Sequence, residues 1–172
     1  MSILPILVAP DPRLKVKAQP VTEVDDALRR LIADMLETMY AAPGVGLAAP
    51  QVGINKQLVV LDIAKKDEEA QPMALINPEI LWRSEETNVY EEGCLSVPEH
   101  YAEVTRPARV RLRYQDSQNE IREIEADGLL ATVLQHEIDH LSGTLFVDHL
   151  STLKRGMILR KLEKARKFNM KM

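Results

Sequence analysis

Residues 128–141 read GLLATVLQHEIDHL. Leu129, Leu130, Ala131, Thr132, Val133 and Leu134 leave almost no polar face over a helical turn and a half, which marks a helix buried inside a protein and not one lying on its surface. Asp127 is suited to cap its start and Gly143 to end it. The same helix carries His136-Glu137-Ile138-Asp139-His140, an H-E-x-x-H string. Residues four apart share a helix face, so both imidazoles can reach one ion, and Glu137 can touch a water on it. Such strings also arise by chance on exposed helices. Here, two histidines and two carboxylates in an apolar helix are costly unless coordinated or paired, with hydrogen-bonded core histidines as the alternative. Val133 and Leu129, three and seven residues before His136, should line an apolar wall beside the metal. Asp139 falls off the ligand face and is left unassigned.

Working outward, Val24, Leu28, Leu31, Ile32, Met35, Leu36 and Met39 predict a helix from about Thr22 to Ala41, with Thr22 and Asp25 as its capping pair. Pro43-Gly44 stops it, and a glycine-containing segment runs to Gly53. Strands are expected at Leu58–Ile63, at Met73–Ile76 (closed by Asn77-Pro78), at Ala108–Tyr114 and at Ile121–Ala126, the last two joined in a hairpin across Asp116–Asn119. A final helix spans about Leu150 to Lys167. The fold class is therefore α+β: antiparallel or mixed sheets around a buried central helix, with an N-terminal and a C-terminal helix. Residues 1–150 are expected to form the catalytic metallohydrolase domain. Residues 151–172 form a basic helix packed on, or extending from, that domain.

A chain of 172 residues can bury a core without help, so a metal here is for chemistry. Only 4% of residues are aromatic, which disfavours base-stacking surfaces. Cys94 is the single cysteine, so no intramolecular disulfide is possible and a cytoplasmic setting is expected. The apolar opening, Ser2–Pro10, lacks the basic leader of a signal peptide, and no apolar run approaches the ~20 residues of a membrane span. Nothing marks a dimer face, so a monomer is expected. The net charge of -4 hides an asymmetry: from Ser151 onward eight cations face Glu163 alone, leaving 14 cations against 25 carboxylates elsewhere. Such a tail suits a polyanion or a solvated helix.

A catalytic centre needs a third protein ligand and an open position for water. Cys94, His100, His149 and the carboxylates are candidates. His149 follows His140 by nine residues, which is not the spacing of the extended H-E-x-x-H-x-x-G-x-x-H motif. Cys94 is better placed, between a turn-forming Gly93 and a strand-ending Pro98, although a lone cysteine is commonly just a small buried hydrophobe.

Three strings then agree in order and spacing. Gly44-Val45-Gly46-Leu47-Ala48-Ala49-Pro50-Gln51, Glu92-Gly93-Cys94-Leu95-Ser96 and Gln135-His136-Glu137-Ile138-Asp139-His140 resemble the three signature motifs of peptide deformylases. Pro12, Ala18, Pro20-Val21 and Glu125–Leu129 extend the resemblance over most of the chain. It implies removal of the formyl group from N-formylmethionine on nascent proteins, with release of formate. Cys94, His136 and His140 would be the ligands of one divalent ion, Fe(II) in the cell, with Zn(II), Ni(II) or Co(II) able to substitute. Hydroxide on that ion would attack the formyl carbon, with Glu137 as base and then acid. Gln51 and the backbone N–H of Leu95 would hold the oxyanion, Gly46 would pair with the substrate backbone, and Val45, Leu129 and Val133 would surround the methionine side chain. Glu92 and Arg106 resemble a pair that braces the cysteine segment, with a surface ion pair as the plain alternative. The C-terminal helix of some bacterial members docks on the ribosome. Tyr101 stands where many bacterial relatives have an Arg that meets the substrate, and Lys15 replaces a usual Arg. Two other readings share these features: a zinc endopeptidase, and a ribosome-associated binding module with a vestigial metal site.

Overall fold

The run Leu58-Val59-Val60-Leu61 has no polar residue because both its faces are covered. The computed structural model describes residues 2–170, so Lys171 of the basic tail lies outside the described residues. This run is β2 (Leu58–Leu61), flanked by β1 (Gly46–Ala48) and β3 (Met73–Arg83); β6 (Arg109–Gln115) and β7 (Ile121–Asp127) complete a five-stranded sheet ordered β1-β2-β3-β6-β7. Its neighbours all pair antiparallel. A separate ribbon pairs β4 (Thr87–Cys94) with β5 (Val97–Pro107).

The helix α2 (Gly128–Leu141) lies against one face of the large sheet. Ala131, Leu134 and Leu141 meet Val59, Leu61, Leu75, Val110 and Leu112 there. On the other face, α1 (Asp26–Ala41) packs Leu28, Met35 and Met39 against Leu58, Val60 and Ile76. Each such fully buried aliphatic side chain contributes about 1.5–3 kcal/mol. The third helix, α3 (Thr152–Met170), buries Ile158 and Leu162 in a second core with Val97, Val104, Leu145, Phe146 and Val147. No described helix is long and apolar enough to cross a membrane.

Several boundaries differ from expectation. The first helix begins at Asp26, because Asp25 caps it by accepting the Leu28 N–H at 2.9 Å. Thr22 and Val24 stay outside it; Val21 just before them is tied in both directions to the Asn77 amide, at 2.8 and 2.9 Å. β3 does not stop at Asn77-Pro78. Asn77 takes φ 51° and the register with β6 shifts there, a bulge that tolerates a proline. Pro98 lies inside β5 and does not end a strand. The segment after Gly44, for which no element was expected, forms β1 and a 3-10 turn, Ala49–Val52. The predicted hairpin forms, closed by Asp116 accepting from Asn119 and donating to Glu120. Leu129, in the first turn of α2, is 45% exposed, so the helix is buried only from Ala131 onward.

Candidate metal centre

The helix α2 sets His136 and His140 one turn apart, and Cys94 closes β4 beside them. The ligand atoms of the three all lie within 4.8 Å of one another, and Cys94 Sγ stands 3.4 Å from His140 Nε2. In a tetrahedral site, bonds of about 2.3 Å to sulfur and about 2.1 Å to nitrogen separate those ligands by roughly 3.6 Å, so this spacing suits one shared ion. His136 Nδ1 bonds Glu92 Oε1 at 2.9 Å, which leaves Nε2 as its ligand atom. Among the described residues, Glu137 Oε1 and His140 Nδ1 are buried without a hydrogen-bond partner. Unpaired buried polar atoms are costly, and the Glu137 oxygen, which faces the cleft, marks a site prepared for a polar guest. His100 and His149, the other candidate ligands, stand outside the cluster; His149 turns to Asp139.

The electrostatics follow from burial and pairing. Burial pushes the Glu137 carboxyl up to about 7, with the neighbouring His136 acting against the shift. Burial also opposes charging of His136, but Glu137, Cys94 and Glu92 outweigh it and raise its pKa; at His140 burial and the charges of His136 and Arg106 act together to lower it. For Glu92, burial is outweighed by hydrogen bonds from His136 and Arg106, which hold the carboxylate below its usual range. Arg106 grips Glu92 with two bonds, Nε to Oε2 at 2.7 Å and Nη2 to Oε1 at 2.9 Å. Both residues are 5% exposed, so the surface-pair alternative does not hold.

A cleft of about 440 Å³ opens over Cys94, His136 and Glu137, with His140 buried behind them. Gln51 is buried with its Oε1 accepting the Ala48 N–H at 2.9 Å, which aims the amide nitrogen at Cys94 Sγ (3.4 Å) and Ser96 Oγ (3.0 Å). Leu95 and Ser96 make the two-residue connection between β4 and β5. Gly46 is pressed against the carboxylate: a Cβ there would stand 2.6 Å from Glu137 Oε2. Val45, Leu129 and Val133 all line the cleft, the first two half exposed at its mouth and Val133 buried. Tyr101, 67% exposed, lays its ring over Gly93, where a Cβ would come within 2.6 Å. The sequence reading missed three contributors. Ser96 orients Gln51; Phe146 stacks on His136 with centroids 6.2 Å apart; Asp139 accepts from Arg106 Nη1 at 2.8 Å. Ser96 was within reach, since it closes a recognised motif, but the other two contacts depend on how distant segments pack.

An antiparallel α+β fold with a thiol and two imidazoles gathered under a cleft, beside an unpaired carboxylate, defines a metalloenzyme of hydrolytic type. The family model for polypeptide deformylase matches residues 3–156. A peptide deformylase of Methylocella silvestris is 57% identical over 172 residues, covering 98% of this chain and 88% of that protein. The crystal structure of the Ehrlichia chaffeensis peptide deformylase superposes with a TM-score of 0.93 at 39% identity, covering 98% of this chain and 99% of that one. A Synechococcus elongatus peptide deformylase, solved in complex with actinonin, gives 0.87 at 46% identity over 92% and 86% of the two chains. The chain belongs to the polypeptide deformylase family.

Proposed function

We propose that this chain removes the formyl group from N-formylmethionine at the start of newly synthesised proteins, with Cys94, His136 and His140 holding one divalent ion. The observation that carries the reading is the cluster of three ligand atoms beside a buried, unpartnered Glu137 oxygen at the floor of an apolar cleft. The thiolate and imidazole donors suit Fe(II), proposed as the ion used in the cell, and also Zn(II), Ni(II) and Co(II). When bound, such an ion acidifies a water and polarises the formyl carbonyl.

Glu137 takes a proton from the attacking water. Burial, which disfavours its charged form, suits it to hold that proton and later donate it to the departing amine, as the carbon–nitrogen bond breaks and formate leaves. The Gln51 amide and the Leu95 N–H donate to the formyl oxygen as it gains charge, each worth about 3 kcal/mol. Val45, Leu129 and Val133 receive the methionine side chain. Gly46 offers its backbone to the substrate, which β1 supports as the last strand of its sheet. Residues 1–150 form the catalytic unit, and the basic helix after Ser151 contacts the ribosome; the enzyme works as a monomer in the cytoplasm.

The test is an assay of formate release from formyl-Met-Ala-Ser, acetyl-Met-Ala-Ser and a peptide cleavable internally. Formate from the first substrate alone is expected. Proteolysis of the third without formate would establish an endopeptidase instead, and no turnover at all would leave a binding module. Truncation after Leu150, in protein shown by circular dichroism to stay folded without Ile158 and Leu162 in its second core, is expected to abolish co-sedimentation with ribosomes, and undiminished co-sedimentation would remove the docking role.

A further inference from the structure

His149 lies outside both the ligand cluster and the cleft lining, yet its side chain is held in place. Its Nε2 lies 2.8 Å from Asp139 Oδ2, and that same oxygen accepts Arg106 Nη1 at 2.8 Å. Arg106 grips Glu92 through its other two nitrogens, and Glu92 Oε1 meets His136 Nδ1 at 2.9 Å. Four side chains therefore run in line from the surface to the imidazole of His136, beginning at His149, which is 37% exposed, and ending at Glu92, which is 5% exposed. Charge alternates along the inner three. The turn that carries His149, Phe146–His149, reaches the same imidazole a second way, since Phe146 stacks on the His136 ring with an interplanar angle of 23°. Asp148 pins that turn by accepting from Lys15 and pairing with Arg155.

From this arrangement we infer that His149 is a positioning residue for the metal centre: by donating to Asp139 it fixes the carboxylate that orients Arg106, and through Arg106 and Glu92 it sets the direction of the His136 ligand nitrogen. The inference rests on His136 being a ligand, as argued above. Partners that directly orient a ligating histidine typically change metal affinity 10–100-fold when removed. His149 stands three bonds further out and shares its oxygen with another donor, so about a 3–10-fold effect is expected.

The experiment measures loss of Co(II) from the full-length, metal-loaded protein to excess chelator, followed by the cobalt–thiolate absorption. His149→Leu, which keeps bulk but cannot donate, should release Co(II) about 3–10-fold faster than the parent. His149→Gln, whose amide can still reach Asp139, should stay within about twofold. On an Asp139→Ala background, His149→Leu should add nothing. Thermal unfolding of the metal-free forms separates this from a general loosening, because the Leu and Gln variants should melt within about 2 °C of each other. Parent-like release from His149→Leu, equal acceleration in the Leu and Gln variants, or additive effects with Asp139→Ala would each overturn the role. If the parent itself shows no cobalt–thiolate band, the metal assignment fails and the positioning role falls with it, whereas a normal band with parent-like release from His149→Leu overturns the positioning role alone.

Discussion

Gly46→Ala gives the sharpest quantitative test of how the cleft floor is built. A Cβ added at residue 46 would lie 2.6 Å from Glu137 Oε2 and 2.9 Å from its carboxyl carbon, where ordinary contacts begin near 3.4 Å. Glu137 must therefore retreat by roughly 0.8 Å, because it is buried on a packed helix with little freedom elsewhere. A displacement of about 1 Å in a reacting group lowers rates on the order of 100-fold, or about 2.7 kcal/mol of transition-state stabilisation. Gly46 lies in a strand at an ordinary backbone angle, so alanine should fold there, its chain-entropy gain of about 0.5–1 kcal/mol offsetting part of an overpacking cost of about 1–3 kcal/mol. The variant should therefore stay folded and melt no more than about 10 °C below the parent, with metal content unchanged, while kcat/KM for formyl-Met-Ala-Ser falls about 100-fold. A kcat/KM within threefold of the parent would refute the claim that Gly46 sets the position of Glu137.

Other perturbations follow from the same contacts. Glu137→Gln should keep its metal and lose about 100–10,000-fold in kcat, measured with parallel metal analysis; substantial turnover would remove the proton shuttle. Arg106→Met strands the buried Glu92 carboxylate and should destabilise the protein by about 3 kcal/mol, or roughly 6–12 °C in Tm, with a change under 2 °C arguing against the pair. Tyr40 donates to Asp62 Oδ2 at 2.6 Å, and burial together with that bond raises the phenol from 10.0 to about 12. Its contribution is therefore complete below pH 10 and disappears as pH rises through 12. At Asp62 burial is outweighed by the bonds from Tyr40, Ala64 and Gln71, so the carboxyl sits below 3.8 and its contribution is lost only as acid titrates it. Tyr40→Phe should shift acid unfolding, followed by circular dichroism, to higher pH; an unmoved transition would contradict the pairing.

The helix that carries HEIDH was legible because its apolar run and its ionisable cluster agree with one buried position. The alternation in β6 was equally plain, since one face carries Val110, Leu112 and Tyr114 inward between outward arginines. The β4–β5 ribbon was not read as a pair of strands. Its residues 87–91 leave both faces partly in solvent, so the alternation that burial imposes is faint there. The start of α1 was misplaced because Thr22 and Asp25 resemble one capping pair in sequence, whereas Asp25 is the cap, accepting the Leu28 N–H, and Val21 before it is held to the Asn77 amide across 56 residues. The place of Cys94 between Gly93 and Pro98 favours it as third ligand, and the resemblance then fixes its role, since one thiol carries no pattern of its own. Asp139 and His149 were unreadable in their roles, because Arg106 reaches Asp139 across 33 residues of sequence.

The central claim is a single divalent ion shared by Cys94, His136 and His140. Anomalous diffraction at the metal edge, on crystals of protein purified without oxygen, tests it most directly. One peak within bonding distance of Cys94 Sγ and of one nitrogen from each imidazole is the predicted result. A peak elsewhere, or none among these three side chains in protein that is active, would contradict it.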